Sequence, residues 1–412
     1  MSEPGKKKLK IGARTAFKNV GGPTERRGDP AIAELLERAF EVSEADHELS
    51  RAHVHGFHSY PARLHPIIAA RLLSSFASPG KTLLDPFCGS GTVLVEARLL
   101  GVRAVGTDVN PLALRLARLK GRGVPEVEQR ALVDAARWVE QHVERRRVGG
   151  ARVTHKYEQE DVDLFEPHVL LELDSIRDGI DGVEPRALRE DLELVLSAIL
   201  TKVSRRLGDT GRYLEPRRLA PGYVARFLVA KAEELARALE DFRRRLPPNA
   251  PPIDVHSDDA RVLGTIGEAT VDLVLTSPPY AATYDYLDHH DMRLRWLRMR
   301  SDRFDTLELG ARRTYAALHV KAAQERWNDE LGRTLVGIAR ARRTQAMCII
   351  VIADSAVHGF ALRADEIVEA QSKTAGLAVA AMASQVRPHF HGGTRQAFAS
   401  APRKEHLIAL RR

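Results

Sequence analysis

The segment LLDPFCGSGTVLVEA (83–97) decides the fold, because it joins an apolar run to a helical pattern through a glycine-rich turn. The run KTLLD (81–85) predicts a buried strand, and a helix is expected from Thr92 to Leu100. The next run, VRAVGTD (102–108), predicts a second strand. Strand, glycine-rich turn, helix and strand in this order are typical of a doubly wound parallel sheet.

The same alternation extends outward from this segment. Amphipathic patterns predict helices over 30–52, over 62–76 and after Pro111. Five more apolar runs predict strands at 252–256, 271–277, 346–354, 377–386 and 405–412. The sequence therefore predicts an α/β fold with seven strands.

The alternation stops for a long stretch in the middle of the chain. Segment 121–250 is charged and helical in pattern, so we expect an inserted helical subdomain there, which is a candidate for target recognition. The predicted organisation is a basic disordered tail (1–28), the first part of the α/β domain (29–120), this insert, and the second part of the α/β domain (251–412).

Composition and charge exclude several classes of protein. Hydrophobic residues make up 44% of the 412 residues, which excludes wholesale disorder. Two cysteines, Cys88 and Cys348, exclude a disulfide-stapled scaffold and fit a reducing compartment. The absence of a long apolar run predicts a soluble protein without a membrane partner. The net charge is +8, and segment 1–28 carries eight basic side chains against two acidic ones. This basic segment fits either a solubilising arm or an arm that contacts phosphates.

The glycine-rich turn is a candidate ligand-binding loop. Asp85, Gly89 and Gly91 leave a strand at its carboxyl end, where open α/β sheets bind ligands. The spacing differs from the GxGxxG fingerprint and from the GxxxxGK[ST] phosphate loop. Asp108 ends the next strand, where a carboxylate accepts hydrogen bonds from ribose hydroxyls. The alternative is an ordinary tight turn.

A second turn, TSPPY (276–280), follows the apolar strand VDLVL. Consecutive prolines impose an extended, rigid turn and donate no N–H, which leaves the carbonyls near Ser277 and Pro278 as acceptors. Oxygen acceptors that hold the hydrogens of an amide-like base amine favour a tetrahedral nitrogen, whose lone pair attacks in line. Tyr280 offers a ring on which a base can stack. The alternative is a turn that only ends the strand.

These motifs resemble those of the amino-group DNA methyltransferases, which use S-adenosylmethionine. DPFCGSGT followed by VGTDVNP is similar to their cofactor loop and ribose-binding strand end, and TSPPY is similar to their (Ser/Asp/Asn)-Pro-Pro-Tyr motif. The resemblance implies a Rossmann-like methyltransferase sheet and leaves the tail and the insert uncovered. Serine in the first position is typical of cytosine-N4 enzymes, whereas adenine-N6 enzymes typically carry Asp or Asn. Carbon-5 chemistry needs a cysteine nucleophile in a Pro-Cys context, which neither cysteine provides.

The resemblance implies a set of site residues. The catalytic residues would be Ser277, Pro278, Pro279 and Tyr280. The cofactor-binding residues would be Asp85, Phe87, Gly89, Gly91, Thr92, Asp108 and Asp259, with Phe57 and Tyr60 from the segment FHSYPARLHP (57–66). One departure is that the third strand is followed by Asp258-Asp259-Ala260, where the family usually has Gly-Asp-Ala; a helix N-cap is the alternative role for this pair.

Two basic stretches are candidates for contact with nucleic acid. Segment 282–303 supplies Tyr284, Tyr286, Arg293 and Arg295, although a helix packed in the core fits the same pattern. Segment 202–218 of the insert supplies Arg205 and Arg206, with a solvated helical face as the alternative. We predict no metal site, because no cysteine or HExxH spacing accompanies His289 and His290.

The sequence as a whole predicts a site-specific DNA methyltransferase of restriction-modification type. It would transfer the methyl group of S-adenosylmethionine to the N4 amino group of a flipped cytosine in duplex DNA. A cytoplasmic, DNA-associated prokaryotic protein is expected, with a cognate restriction or defence protein as a candidate partner. The alternatives are adenine-N6 methylation, methylation of an RNA base amine, and a catalytically idle partner in a larger assembly.

Overall fold

The structure is a computed structural model that describes residues 23–150, 152–206, 214–388 and 392–412. Its strands are β1 Thr24–Gly28, β2 Thr82–Asp85, β3 Arg103–Asp108, β4 Asp254–Ser257, β5 Val271–Thr276, β6 Arg342–Ala353, β7 Ser355–Val357, β8 Phe360–Leu362, β9 Ala378–Val386 and β10 Lys404–Arg411. Its helices are α1 Pro30–Phe40, α2 Glu44–Leu49, α3 Pro66–Phe76, α4 Thr92–Leu99, α5 Pro111–Gly121, α6 Glu126–Val148, α7 Gln159–Leu164, α8 Pro167–Asp181, α9 Arg186–Val203, α10 Tyr223–Arg245, α11 Tyr286–Trp296, α12 Asp302–Leu307, α13 Arg312–Ala316, α14 Val320–Ala341, α15 Ala364–Thr374 and α16 Gly392–Ala397.

One mixed sheet organises the chain. Its strand order is β1-β9-β10-β6-β5-β2-β3-β4. The strands β4, β3, β2, β5 and β6 run parallel, whereas β10 lies antiparallel between β6 and β9. All seven predicted strands are present in this sheet, so the prediction of a Rossmann-like α/β fold is confirmed.

The sheet has an eighth strand that the sequence did not predict. Residues Thr24–Gly28 pair antiparallel with β9, and Lys404 and Glu369 form ion pairs with Glu25 and Arg27. The predicted disorder is therefore wrong for these residues of the 1–28 tail, and residues 1–22 lie outside the described ranges. Charged side chains fit an edge strand because they face solvent and discourage pairing with another chain.

Helix caps place the functional loops at the carboxyl edge of the sheet. The side chain of Asn110 accepts hydrogen bonds from the backbone of Leu112 and Ala113, and Pro111 takes the first helical position of α5.

The helix expected over 30–52 is instead two helices. The hydroxyl of Ser43 accepts a hydrogen bond from the backbone of Asp46 and starts α2 with a capping box.

Segment 121–250 is helical in its described part, as expected, and comprises α6 to α10. Its apolar side chains share one core cluster with residues of the sheet-flanking helices, among them Val95 and Leu112. Arg206 and Leu214, which flank the undescribed residues 207–213, form an isolated antiparallel bridge. Among the helices that the structure describes, none has the length and apolarity needed to cross a bilayer.

Candidate active site

The turn after β2 brings Asp85 and Asp108 against the same glycine-rich loop. Asp85 Oδ1 accepts a hydrogen bond from the backbone N–H of Phe87 at 3.1 Å. The backbone N–H of Gly89 donates to Asp108 Oδ2 at 2.9 Å, so that β2 and β3 are connected across the loop. Gly91 has a φ of +85° and starts α4, and a Cβ there would lie 2.9 Å from the Cα of Ala117. Only glycine fits this position without moving α5.

Both carboxylates are buried and have raised pKa values. Burial raises the pKa of Asp85 to about 7, against the opposing effect of its hydrogen bond from Thr276. Burial raises the pKa of Asp108 to about 6, although the backbone N–H groups of Asn110 and Gly89 favour its charged form. Within the described ranges, neither carboxylate takes part in an ion pair. A cationic ligand would therefore be favoured beside them.

A hydrogen bond connects the TSPPY turn to this loop. The turn follows β5, which is the parallel neighbour of β2 in the sheet. Thr276 Oγ1 donates to Asp85 Oδ1 at 2.7 Å, and both side chains are buried. The first residue of one motif therefore holds the carboxylate of the other.

One pocket lies over these turns at the carboxyl ends of β2, β3 and β5. Of the predicted site residues, the pocket brings together Tyr60, Asp85, Phe87, Gly89, Thr92, Asp108, Ser277, Pro279 and Tyr286. The rings of Tyr60 and Tyr286 stack with their centroids 6.3 Å apart. Tyr286, which we predicted as a contact for nucleic acid, thus belongs to the pocket.

Several predicted cofactor contacts do not line this pocket. Phe57 is buried in the core, where the ammonium of Lys231 lies 5.2 Å from its ring centroid, so its prediction as a cofactor contact is wrong. The side chain of Asp259 is held by Arg261, with Nη2 2.9 Å from Oδ2. Asp258 lines the pocket in its place, because successive side chains after a strand point in different directions. Gly91 contributes only to the loop backbone.

The TSPPY turn divides between the pocket and the core. Ser277 and Pro279 line the pocket, whereas Pro278 is buried and outside the lining. Tyr280 is also outside the lining, and its hydroxyl donates to Glu405 Oε1 at 2.9 Å. Burial and the neighbouring carboxylate of Glu405 raise the pKa of Tyr280 well above its usual range.

The pocket also contains residues that sequence reasoning missed. They are Ala62, Arg63, Leu64, Pro86, Cys88, Ser90, Val93, Val109, Asn110, Ala260, Phe304, Glu308 and Leu309. Glu308 accepts hydrogen bonds from the backbone N–H of Tyr286 and from Arg313, both at 2.7 Å, and burial raises its pKa. No local pattern marks Glu308, whereas the Asn-Pro pair after Asp108 was a readable signal for Asn110.

Arg293 is buried, and its prediction as a contact for nucleic acid is wrong. Its guanidinium donates to the carbonyl of Ser197 at 3.4 Å and to the hydroxyls of Ser59 and Thr201 at 3.0 Å each. A fully buried guanidinium cannot reach a phosphate without unfolding the region around it.

The other predicted nucleic-acid contacts do not line the pocket. Arg295 pairs with Asp161, and Arg205 makes two hydrogen bonds to Glu166, at 3.0 and 2.9 Å. Because carboxylates already compensate these charges, both arginines attract phosphate less than free ones would. Tyr284 packs beside Tyr286, with ring centroids 5.7 Å apart. Arg206 is half-buried at the edge of the undescribed residues of the insert.

Comparison with known proteins points to methyltransferases. The family model described as "RMKL-like, methyltransferase domain" matches residues 57–162, which include the glycine-rich turn and Asp108. The chain is 25% identical over 268 residues to the Type II methyltransferase M.MvaI of Kocuria varians, covering 60% of this chain and 58% of that protein. It is 22% identical over 278 residues to the Type II methyltransferase M.BsoBI of Geobacillus stearothermophilus, covering 59% and 52%.

A shorter match involves an RNA-modifying protein. The chain is 38% identical over 77 residues to the tRNA (guanine(10)-N2)-dimethyltransferase of Methanothermobacter thermautotrophicus, covering 18% of this chain and 23% of that protein. The chain thus matches little more than half the length of its Type II relatives. Together the comparisons support a methyltransferase with similarity to Type II methyltransferases.

The pocket residues fit S-adenosylmethionine. This molecule is a sulfonium cation with two ribose hydroxyls and an apolar adenine face. The pocket offers buried carboxylates at Asp85 and Asp108 without an ionic partner among the described residues, and apolar contacts from Phe87 and Val109. A Cβ at Gly89 would approach the ring of Tyr60 to 3.4 Å and narrow the space over the loop. Charge, hydrogen-bonding capacity and shape thus agree with this cofactor.

Proposed function

We propose that this protein is an S-adenosylmethionine-dependent DNA methyltransferase that modifies the exocyclic N4 amine of cytosine. The observation that carries the proposal is the 2.7 Å hydrogen bond from Thr276 to Asp85, which supports a shared site for the cofactor loop and the Ser-Pro-Pro-Tyr turn. Two further observations support it: Ser277 lines the same pocket as Asp108, and the chain is similar to proteins named Type II methyltransferases.

In this proposal the residues position the reactants and form no covalent intermediate. The bound cofactor supplies an electrophilic methyl group. Asp108 binds the ribose hydroxyls, and Asp85 provides negative charge beside the cation. Ser277 and the carbonyls of its turn accept hydrogen bonds from the cytosine amine, which frees the nitrogen lone pair for in-line attack. The buried Pro278 keeps this turn rigid.

The substrate in this proposal is duplex DNA with the target base flipped into the pocket. The helical insert, segment 121–250, would read the target sequence. A cleft between α5, the insert and the end of α11 is lined by six arginines and three carboxylates, and among the described residues five of these arginines already pair with carboxylates: Arg115, Arg186, Arg189, Arg298 and Arg300. Arg118 is the lining arginine outside these ion pairs. A cognate restriction or defence protein is the proposed cellular partner.

The decisive experiment identifies the methylated nucleoside. The purified protein is incubated with S-adenosylmethionine and genomic DNA, and the digested product is analysed by mass spectrometry. We expect N4-methylcytosine with the wild type and with Ser75→Ala, an exposed control on α3, and a loss of at least about a hundredfold with Ser277→Ala. N6-methyladenine would retain the mechanism and refute the choice of base.

A second candidate substrate is an RNA base amine, because of the match to the tRNA guanine-N2 enzyme. The same assay with total RNA distinguishes it, since N2-methylguanosine would appear only there. Cofactor binding without product on either nucleic acid would favour the catalytically idle partner and refute the enzyme proposal.

A further inference from the structure

A cluster of two histidines and one glutamate lies outside the pocket, where three elements meet. His53 and His55 belong to the short 3-10 helix at His53–Gly56, and Glu96 belongs to α4. One ligand atom from each of the three side chains lies within 4.8 Å of the other two. Phe242 of α10 packs on His53, with ring centroids 5.7 Å apart. We call His53, His55 and Glu96 the histidine–glutamate cluster.

Two imidazole nitrogens of this cluster are buried without a hydrogen-bond partner among the described residues. They are the Nδ1 atoms of His53 and His55. His55 is fully buried, and only its Nε2 is satisfied, at 2.6 Å from Glu96 Oε1. An unpaired buried polar atom is costly, so two of them in one cluster need an explanation.

The donor set of the cluster suits a metal ion. It offers two imidazoles and one carboxylate, and all three side chains are buried or half-buried. Imidazole nitrogens and carboxylate oxygens are common ligands of divalent metals. Of the cations nearby, Arg63 donates to the backbone carbonyl of His55, Arg245 donates to Asp241, and Lys120 donates to the hydroxyl of Ser90.

In contrast to the sequence-based prediction of no metal site, we propose that the histidine–glutamate cluster is a binding site for Zn²⁺ with two imidazole ligands and one carboxylate ligand. Nitrogen and oxygen donors in this ratio fit zinc, and the fourth position would be taken by water. The ion would tie the 3-10 helix to α4 beside α10. The 3-10 helix also begins the segment that leads to Tyr60, so the ion would stiffen one wall of the pocket without taking part in the chemistry.

The test measures metal binding by the full chain without an affinity tag. Protein dialysed against a chelator is titrated with Zn²⁺ by calorimetry, and with Co²⁺ by visible absorption, which reports tetrahedral coordination. We expect one ion per chain for the wild type, and an affinity lower by about a hundredfold or more for His53→Asn and Glu96→Gln. His256→Asn, an exposed histidine in β4, is the matched control and should bind as the wild type does.

Both variants should fold, because His53 is only half-buried and glutamine at position 96 still accepts a hydrogen bond from His55. Circular dichroism checks this. At zinc concentrations about 100-fold above Kd, Tm should rise by about 3 °C for the wild type and not for the two variants. The proposal would be overturned if the folded wild type bound neither ion. It would also be overturned if His53→Asn and Glu96→Gln bound zinc as tightly as the wild type does.

Discussion

Replacing Thr276 with valine removes the hydroxyl that donates to Asp85 and keeps the shape of the side chain. Both side chains are buried, so water does not replace the lost donor. A hydrogen bond to a charged group contributes about 1.5–3 kcal/mol, which corresponds to a rise of about one to two units in the pKa of Asp85. Because burial already raises this pKa to about 7, the carboxyl of the variant would stay mostly protonated at neutral pH.

The measurable result is a shifted pH profile of cofactor binding. At a pH of about 7.5 the ionised fraction of Asp85 would fall about 3- to 25-fold, and the Kd for S-adenosylmethionine would rise by the same factor. Calorimetric titrations between about pH 6 and pH 9 should show the inflection near pH 7 moving upward, with the two affinities converging to within about twofold at the alkaline end.

Two controls isolate the hydrogen bond. Thr276→Ser keeps the hydroxyl and should keep the wild-type profile. Thr334→Val removes an equally buried hydroxyl that donates to the carbonyl of Glu330 in α14, outside the pocket lining, and should leave the profile unchanged. A wild-type profile for Thr276→Val, or the same shift in Thr334→Val, would refute the reasoning.

Three other substitutions separate binding, chemistry and folding. Asp108→Asn should raise the Kd for S-adenosylmethionine by about ten- to a hundredfold, because it removes a charged acceptor; an unchanged Kd in calorimetry would remove Asp108 as the ribose ligand. Tyr280→Phe should lower the free energy of unfolding by about 1 kcal/mol in urea titrations while kcat is retained, since the hydroxyl bonds Glu405; lost transfer would assign the hydroxyl to the chemistry instead. Asp85→Asn should be more stable than the wild type at about pH 8, and the difference should shrink as the pH falls from about 7 toward about 4, because the raised pKa makes the folded protein bind a proton that the unfolded chain releases. Thermal melts at both ends of that range would contradict this if the difference stayed constant.

The sheet was predictable because its strands are apolar runs between loops, and buried parallel strands leave that trace in the sequence. The strand β1 was not, because TERRG is charged and forms a strand only through its pairing with β9. The helix predicted over 30–52 is divided at Ser43 in the structure. The capping box of Ser43 is a local signal, and it was hidden in the sequence by the apolar period that continues on both sides of it.

The candidate site was predictable where a motif fixes the course of the backbone. It was not predictable where a side chain can point either into the pocket or away from it. The positions of Gly89 and Asp108 follow from the turn and the strand end. Sequence spacing could not decide whether Asp258 or Asp259 faces the pocket, because neighbouring side chains diverge by a small rotation of the chain. The burial of Arg293 depends on partners about 90 or more residues away, which no local pattern encodes.

The buried guanidinium of Arg293 has a consequence for engineering and for evolution. It joins α11 to Ser197 and Thr201 of the insert and to Ser59, the chain neighbour of the pocket residue Tyr60. An insert grafted from a relative that lacks the Thr201 hydroxyl would remove one hydrogen-bond acceptor of this buried cation, at a cost of about 1.5–3 kcal/mol. The insert therefore cannot be exchanged for that of a relative without a loss of stability. New target specificity would have to arise by substitutions on the solvent-facing side of the insert, while its contacts with α11 and the α/β domain are retained.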